Sequence, residues 1–296
     1  MNHNHIIVGM GEALWDMLPE GKKLGGAPAN FAYHVSQFGL KSIVVSAVGK
    51  DELGDEILDN FQKKDLKGLI ETVPYPTGTV QVTLDKAGIP CYEIKEGVAW
   101  DNIPYTGQLD ELAHQAIAVC FGSLAQRNPV SRETINRFLD TMPDTPETLK
   151  IFDINLRQNF FTKEILCHSF QKCNVLKIND EELVTVSRLL DFPDMTTESQ
   201  CQILLERYNL KMLILTCGTK GSYVFTPDET SFLETPSVEV ADTVGAGDSF
   251  TAAFVSAILK GCPVKEAHKL AVDVSAYVCT QNGAMPVLPT TLTNRI

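Results

Sequence analysis

Short apolar runs alternate with helical patterns along most of this chain. The runs predicted to form buried strands are Ile6–Met10, Ser42–Val48, Ile117–Phe121, Lys150–Ile154, Val175–Ile178 and Met212–Thr216. The predicted helices are Ala29–Phe38, Leu53–Lys63, Arg132–Leu139, Glu181–Leu190, Gln200–Tyr208, Asp248–Leu259 and Val264–Thr280. This alternation predicts an α/β fold with a mostly parallel sheet and helices on both faces. Ligands of such sheets bind beyond the carboxyl ends of the strands.

Two segments interrupt the alternation. Thr79–Asp85 and Ile89–Ile94 flank a turn at 86–88 and have the pattern of a hairpin with one apolar face. Ala13–Leu18 has the pattern of a shorter strand, inserted soon after the first. Because an isolated hairpin is barely stable, these pieces are predicted to join in one small second sheet. A surface hairpin with no role is the alternative.

A loop of small residues opens the predicted helix at Asp248. Gly245, Ala246 and Gly247 leave three successive backbone N–H groups uncrowded for an anion, and the helix adds the positive end of its dipole. A carboxylate in the first turn would repel phosphate, so we interpret Asp248 as a base that takes a proton from a group attacking phosphate. An ordinary helix start explains the same four residues if they are taken alone. An anion site at Gly245–Gly247 and a base at Asp248, taken together, indicate a phosphotransferase.

Composition narrows the classes of partner. A net charge of −12 over 296 residues argues against nucleic acid or an anionic membrane, but not against ATP, which local N–H groups and metal ions can bind. The chain has no apolar run of transmembrane length, and its start lacks a signal-peptide pattern, so a cytoplasmic location is expected. The eight cysteines form no C-x-x-C pair and are expected to be reduced. His3 and His5 are attributed to a frayed terminus rather than a metal site.

Two stretches resemble the signatures of a known family. Residues 242–254 resemble the C-terminal signature of the ribokinase-like (PfkB) carbohydrate kinases, and residues 25–32, with Gly39 and Gly49, are similar to their N-terminal signature. The resemblance extends over essentially the whole chain and implies a three-layer α/β/α sandwich, as one kinase domain over 1–296. It also implies that the small sheet, from about 12–26 and 77–103, is a lid over the sugar. Relatives often pair through their lids, which implies a possible homodimer.

The resemblance implies a role for four groups of residues. The implied catalytic group is Asp248 as general base with Gly245, Ala246, Gly247 and Arg157 around the phosphoryl group. The implied sugar-binding group is Asp16, Gly25, Gly26 and Asn30. The implied ATP-binding group is Thr216, Gly218, Gly221 and Asn282. The implied metal-binding group is Asn179 and Glu182 for Mg²⁺ through water, and Asp242 for a monovalent cation, K⁺.

Several of these motifs also have a simpler explanation. An Asp–Arg surface pair explains Asp153 and Arg157 about as well as a phosphoryl contact does. Asn179 is an expected helix N-cap with Glu182 completing a capping box, which is compatible with the metal role. A tight turn explains residues 216–221, and a helix C-cap explains Gly283.

The form of the N-terminal signature predicts the substrate. Ribokinases and the phosphofructokinase branch usually have Gly-Gly-Lys-Gly, whereas residues 25–30 read Gly-Gly-Ala-Pro-Ala-Asn, the form that fructokinases show. Residues 11–16 and 97–101 also look like fructokinase. The missing lysine disfavours an already phosphorylated sugar, although Lys22 and Lys23 are possible replacements. Fructose, phosphorylated at O6, is therefore predicted; ribokinase, 2-keto-3-deoxygluconate kinase and aminoimidazole riboside kinase are the alternatives.

Two rivals from other functional classes are disfavoured. A dinucleotide-dependent oxidoreductase would need a full glycine fingerprint, but Gly9–Leu14 lacks the third glycine and leads into a strand rather than a helix. Residues 218–222 have the wrong spacing for a P-loop. A sugar sensor without catalysis is disfavoured because Asp248, Arg157 and the glycine loop are all present.

Overall fold

The computed structural model describes residues 6–18, 21–84 and 90–296. Within these ranges the larger sheet consists of β1 (Ile6–Met10), β4 (Lys41–Gly49), β5 (Gly68–Val73), β8 (Ala116–Phe121), β9 (Leu149–Asp153), β10 (Val175–Asn179), β11 (Met212–Thr216), β12 (Ser222–Phe225) and β13 (Thr230–Leu233). Their spatial order is β13-β12-β11-β10-β9-β8-β1-β4-β5. The strands from β11 to β5 pair in parallel, and β12 and β13 extend the sheet antiparallel.

Helices cover both faces of this sheet. They are α1 (Ala27–Gln37), α2 (Glu52–Lys63), α3 (Gly107–Gln115), α4 (Pro129–Thr141), α5 (Lys163–Lys172), α6 (Asp180–Leu189), α7 (Thr197–Arg207), α8 (Ala246–Leu259), α9 (Val264–Cys279) and α10 (Thr290–Thr293). Adjacent residues of β1 show the two layers, since Ile7 packs in a core with α1, α8 and α9, while Val8 packs in a core with α3 to α7. Both side chains are fully buried, as a central parallel strand requires. The predicted three-layer α/β/α fold is confirmed.

All six predicted buried strands form, with ends within one residue of the predicted ones. Strands β5, β12 and β13 were not predicted, because they mix polar and apolar residues and β5 and β13 are the edges of the sheet. The helices α3, α5 and α10 were also missed. Helix α4 begins at Pro129 rather than Arg132, because the Asn128 side chain caps it by accepting from the Val130 N–H at 3.0 Å.

The small second sheet forms as predicted, with one additional strand. It consists of β2 (Leu14–Leu18), β3 (Gly21–Gly25), β6 (Gly78–Leu84) and β7 (Pro90–Ile94), in the order β3-β2-β6-β7. Strands β2 and β6 are parallel and the other pairs antiparallel. The predicted hairpin turn at 86–88 lies outside the described residues. Trp15 attaches the sheet to α2, since its Nε1–H donates to the Leu53 carbonyl at 2.9 Å.

No helix in the described ranges is both long enough and apolar enough to cross a membrane.

Candidate active site

The glycine loop forms the N-terminus of α8. Gly245 is the N-cap residue and has a left-handed backbone with φ 79°. A Cβ at Gly245 would lie 2.7 Å from the Ala284 Cβ, so both the backbone conformation and the close packing require glycine. Ala246 and Gly247 begin the helix, and α8 is buried over most of its length. The loop therefore has the geometry of an anion site at the positive end of a helix dipole.

Asp248 lies in the first turn of α8 and is held by α1. The Asn30 side-chain amide donates to Asp248 Oδ2 at 2.7 Å, across 218 residues of sequence. Asn30 is buried, and its own Oδ1 has no hydrogen-bond partner within the protein. The residue predicted as base and a residue predicted to bind the sugar are thus in direct contact.

The surroundings of Asp248 make it a better base than an ordinary aspartate. Burial and the nearby Asp153 carboxylate raise its pKa to about 6, while the Asn30 hydrogen bond and the charges of Lys177 and Arg157 oppose the rise. A base works best when its pKa lies near the working pH. Asp248 is therefore mostly ionised at neutral pH and still able to accept a proton.

Lys177 is a site residue that the sequence did not reveal. Its ammonium is buried and donates to Asp153 Oδ1 at 3.0 Å. It also lies 3.1 Å from the position that a Cβ of Gly247 would take, directly beside the glycine loop. Burial opposes its charge, but the carboxylates of Asp153 and Glu182 outweigh that effect and hold its pKa above the ordinary lysine value. Nothing in the strand pattern of β10 distinguishes this lysine from one that reaches solvent.

Asn179 and Glu182 form the predicted capping box at the start of α6. Asn179 Oδ1 accepts from the Glu182 N–H at 2.8 Å, and Glu182 Oε2 accepts from the Asn179 N–H at 2.9 Å. The other oxygen, Oε1, accepts from the Leu156 N–H at 2.9 Å. Burial raises the pKa of Glu182, and the Lys177 charge opposes that rise. Both oxygens of Glu182 therefore already have a backbone partner.

Asn179 and Glu182 suit a metal ion that keeps bound water better than one that is coordinated by protein side chains alone. Across the described ranges, no three His, Cys, Asp or Glu side chains converge as a metal site. An ion beside Glu182 would have to share its coordination sphere with water and with phosphate oxygens. Mg²⁺ binds proteins in this way, since it keeps several waters and takes one or two carboxylates.

The residues predicted to hold the sugar meet where β2, β3 and α1 join. Asp16 lies on β2 opposite Lys23 of β3, and its Oδ2 lies 2.6 Å from the position that a Cβ of Gly25 would take. Gly26 is the N-cap of α1, with φ 120°. Burial raises the pKa of Asp16, and the charges of Arg157 and Lys23 oppose the rise. A carboxylate and the Asn30 amide are hydroxyl-binding groups.

Arg157 lies in the loop after β9. Its guanidinium is exposed, and Nη1 donates to the Leu156 carbonyl at 3.0 Å. Its charge is close enough to oppose the pKa rise of Asp16 and Asp248. The structure thus places the Arg157 cation within electrostatic range of both Asp16 and Asp248.

The predicted nucleotide loop follows β11. Thr216 ends that strand opposite Asn179 of β10. Gly218 begins a short 3₁₀ turn, and the Cys217 N–H donates to the Gly221 carbonyl at 2.9 Å, so the tight turn expected from the pattern does form. Asn282 is exposed in the loop after α9. The carboxyl ends of β10 and β11 bring Thr216 and Asn179 together, whereas Asn282 precedes Gly283, whose N–H donates to Asp242.

Asp242 is held by two backbone groups and one side chain. Its Oδ1 accepts from the Val244 N–H at 3.0 Å, and its Oδ2 accepts from the Gly283 N–H at 3.1 Å and the Lys23 ammonium at 3.4 Å. Burial favours a higher pKa, but these hydrogen bonds and the Lys23 charge lower it overall. Lys23 belongs to β3, so the small sheet contacts the segment that precedes the glycine loop.

A second unpredicted residue, Glu12, lies beside the base. It follows β1, is 3% exposed, and lines a cavity of about 10 Å³ together with Asp153, Asn155 and Asp248. That volume has room for roughly one water molecule. Glu12 belongs to one of the stretches that carries the family resemblance, but its spacing gave no reason to assign it a role.

Comparison with known proteins gives a family and several relatives. The family model described as pfkB family carbohydrate kinase matches residues 20–291. The ATP-dependent 6-phosphofructokinase of Thermoanaerobacterium thermosaccharolyticum is 31% identical, over 90% of this chain and 82% of the relative. The fructokinase of Salmonella typhimurium is 28% identical, over 95% of each chain. A solved fructokinase from Vibrio cholerae O395, with fructose, ADP and calcium ion bound, has the same fold, with TM-score 0.82, 23% identity and 99% of each chain covered.

Proposed function

This chain belongs to the pfkB family of carbohydrate kinases, and from that premise we propose that it transfers a phosphoryl group from ATP to O6 of D-fructose, with Asp248 as the general base. The reaction forms a bond between the sugar oxygen and the γ-phosphorus and breaks the bond to the ADP oxygen. The hydroxyl proton passes to Asp248. The family's class of reaction, sugar phosphorylation, is not that of the dinucleotide oxidoreductases considered from the sequence.

The contact between Asn30 and Asp248 is the observation that carries this proposal. It joins the two family signatures at 2.7 Å, so the group that would hold a sugar hydroxyl also orients the group that would remove its proton. Asn30 Oδ1 and Asp16 are left to accept hydroxyl hydrogen bonds. Proper placement of hydroxyl and base is a large part of what such a reaction needs.

The phosphoryl group would lie against the glycine loop. The N–H groups at Gly245–Gly247 and the guanidinium of Arg157 would neutralise the charge that spreads over its oxygens. Thr216, Gly218, Gly221 and Asn282 are proposed to hold the nucleotide, and Asn179 with Glu182 to hold Mg²⁺ through water. When bound, Mg²⁺ would offset the charge of the phosphate oxygens. The bound ADP and calcium ion of the Vibrio fructokinase support a nucleotide and a divalent ion here.

A second candidate function is 6-phosphofructokinase. The 31% identical relative has that activity by name, and its substrate is a sugar that already carries a phosphate. The two lysines that could replace the missing signature lysine are engaged elsewhere, since Lys22 pairs with Glu56 and Lys23 with Asp242. Asp16 adds an acidic side chain to the proposed sugar-binding group. These observations favour an uncharged sugar.

A substrate panel tests the choice of sugar. Site hydrogen bonds to each hydroxyl penalise a lookalike that leaves a buried partner unpaired, at about 1–3 kcal/mol for each group. We therefore expect fructose to exceed ribose, glucose and fructose 6-phosphate by at least about tenfold in kcat/KM. The measurement is coupled ADP release, with 2-keto-3-deoxygluconate and aminoimidazole riboside in the same panel. If another sugar reacts faster than fructose, the substrate assignment is wrong, but the assignment of the protein as a sugar kinase is unaffected.

The small sheet is proposed to close over the sugar as a lid. Asp16, a member of the proposed sugar-binding group, belongs to this sheet. Lys23 of the same sheet contacts Asp242, in the segment that precedes the glycine loop. A kinase that holds ATP next to a base has to exclude water. Removal of the hairpin, residues 79–94, should therefore increase ADP release relative to sugar phosphate formed. An unchanged ratio of the two products would contradict the lid.

Two further assignments rest on the family alone. Asp242 is proposed to bind K⁺, which would have to share that carboxylate with the Lys23 ammonium; equal turnover in K⁺ and Na⁺ would remove this role. A homodimer through the lid is proposed because β3 and β7 are open edges of the small sheet. A monomer mass in light scattering at assay concentration would exclude it.

A further inference from the structure

Glu12 is a buried carboxyl that the proposed reaction does not yet use. It lies directly beyond the carboxyl end of β1, which is paired with β4 on one side and β8 on the other. Buried carboxyls are rare unless a partner or a function retains them. Glu12 lies at the edge of the sheet where ligands of such folds bind, so a functional reason for its burial is favoured.

One end of the Glu12 carboxyl is anchored and the other is free. The backbone N–H groups of Ala27 and of Glu12 itself donate to the carboxylate, and Ala27 begins α1, the helix that carries Asn30. The second oxygen, Oε2, is buried and has no hydrogen-bond partner within the protein. Leaving such an atom unpaired costs about 1–3 kcal/mol, so a partner that the protein itself does not provide is expected.

Glu12 and Asp248 line the same cavity. Asp153 and Asn155 line it as well, and its volume of about 10 Å³ admits roughly one water molecule. The other charged or titratable groups facing the two carboxyls are Asp153 of β9, Lys177 of β10, Arg157 after β9 and the buried Cys120 thiol of β8.

The two carboxyls differ in how well they support a negative charge. Asp248 is less deeply buried than Glu12, accepts the Asn30 amide N–H and is influenced by the Lys177 charge. Glu12 is almost fully buried, and among the charged groups around it Asp248 has the strongest effect on its pKa, which it raises. Two carboxyls that share a site do not both ionise easily, and the proton stays on the one in the less polar surroundings.

We propose that Glu12 and Asp248 form an acid–base pair that shares one proton across the cavity, with the proton held by Glu12 so that Asp248 remains ionised. Glu12 is a positioning residue that acts through Asp248. The proton taken from the sugar hydroxyl goes to Asp248 and is released to water when the products leave. Glu12 keeps its own proton throughout. The inference rests on the proposed function only in naming Asp248 as the base. Burial raises the pKa of Glu12 to about 7, above that of Asp248, which agrees with this assignment.

The test is a carboxyl titration of the full-length protein without ligands. ¹³C NMR spectra are recorded from pH 4 to 9, and the two signals are assigned by their loss in Glu12→Gln and Asp248→Asn. Glutamine keeps the acceptor for the Ala27 N–H and the side-chain volume but cannot ionise. We expect the Glu12 midpoint to fall by about half a unit to one unit in Asp248→Asn, because the Asp248 charge beside it is then gone. The Asp248 midpoint should change little in Glu12→Gln, because in the wild type Glu12 is still protonated, and so uncharged, over the pH range in which Asp248 titrates.

Glu52→Gln is the matched control. It removes the same charge from an exposed position in the first turn of α2, and both midpoints should stay in place. If Glu12→Gln does not fold, the titration of Glu12 in Asp248→Asn measures the same coupling. A Glu12 midpoint that moves by less than about 0.2 units in Asp248→Asn, or a Glu12 that titrates near the ordinary value of about 4.3 in the wild type, would overturn the pair.

A kinetic measurement separates this inference from the proposed function. Wild-type kcat should change a second time near pH 7, where Glu12 ionises beside Asp248, and Glu12→Gln should keep the acidic limb near pH 6 but lack this second change. A Glu12→Gln profile that is only scaled down, with the same shape as that of the wild type, would mean that Glu12 only anchors Ala27, which overturns the inference. Full turnover in Asp248→Asn would defeat the general-base assignment, while the titration would still decide whether the pair exists.

Discussion

Asp248→Asn is expected to lower the turnover of fructose by about 10²–10⁴-fold while ATP binding is largely retained. Asparagine keeps the size of the side chain and still offers an oxygen to the Asn30 amide, so the fold and the glycine loop should be preserved. It cannot accept the hydroxyl proton. Coupled ADP release measures turnover, and isothermal titration with ATP measures binding. Turnover near that of the wild type would exclude Asp248 as the base.

The pH profile gives an independent check on the same group. The pKa of Asp248 is raised to about 6, chiefly by burial, and the base is active only when ionised. Wild-type kcat should therefore fall as the pH drops through about 6, and the residual activity of Asp248→Asn should lack this limb. Arg157→Ala is the comparison variant, because it removes charge neutralisation and not the base. It should lower kcat more than it weakens fructose binding and should keep an acidic limb.

Lys177→Met is expected to lower the free energy of unfolding by about 3–5 kcal/mol. Methionine has a similar volume but leaves the buried Asp153 carboxylate without its cation, which the structure places at 3.0 Å. Adding Asp153→Asn should restore most of the stability, because the uncompensated charge is then gone. Urea unfolding of the wild type and of both variants at pH 7 measures these changes.

Lys163→Met is the control for this prediction. Lys163 pairs with Asp191 at 3.3 Å, but both side chains are more than half exposed, so its loss should cost less than about 1 kcal/mol. A Lys177→Met protein as stable as this control would show that Asp153 is solvated or protonated in the native state. A double variant no more stable than Lys177→Met would show that packing, rather than charge, is what the lysine provides.

Local patterns in the chain were sufficient for much of the fold and for the outline of the site. The six buried strands were predictable because parallel strands covered on both faces need mostly continuous apolar runs, as in Ile117–Phe121. The glycine loop with Asp248 and the capping box of Asn179 with Glu182 were predictable because their partners lie within a few residues. The strands β12 and β13 were not, since each has only four residues and mixes polar with apolar side chains.

The contacts that make the site a single unit depend on the tertiary structure alone. Asn30 meets Asp248 because α1 and α8 pack on the same face of the sheet. Lys177 looks like any charged residue in a strand, and only the fold buries its ammonium beside Gly247 and against Asp153. Glu12 lines the same cavity as Asp248 because β1 ends beside it. Each of these contacts joins residues far apart along the chain, and the ionisation of a carboxyl or an ammonium depends on burial and on neighbouring charges that local spacing does not specify.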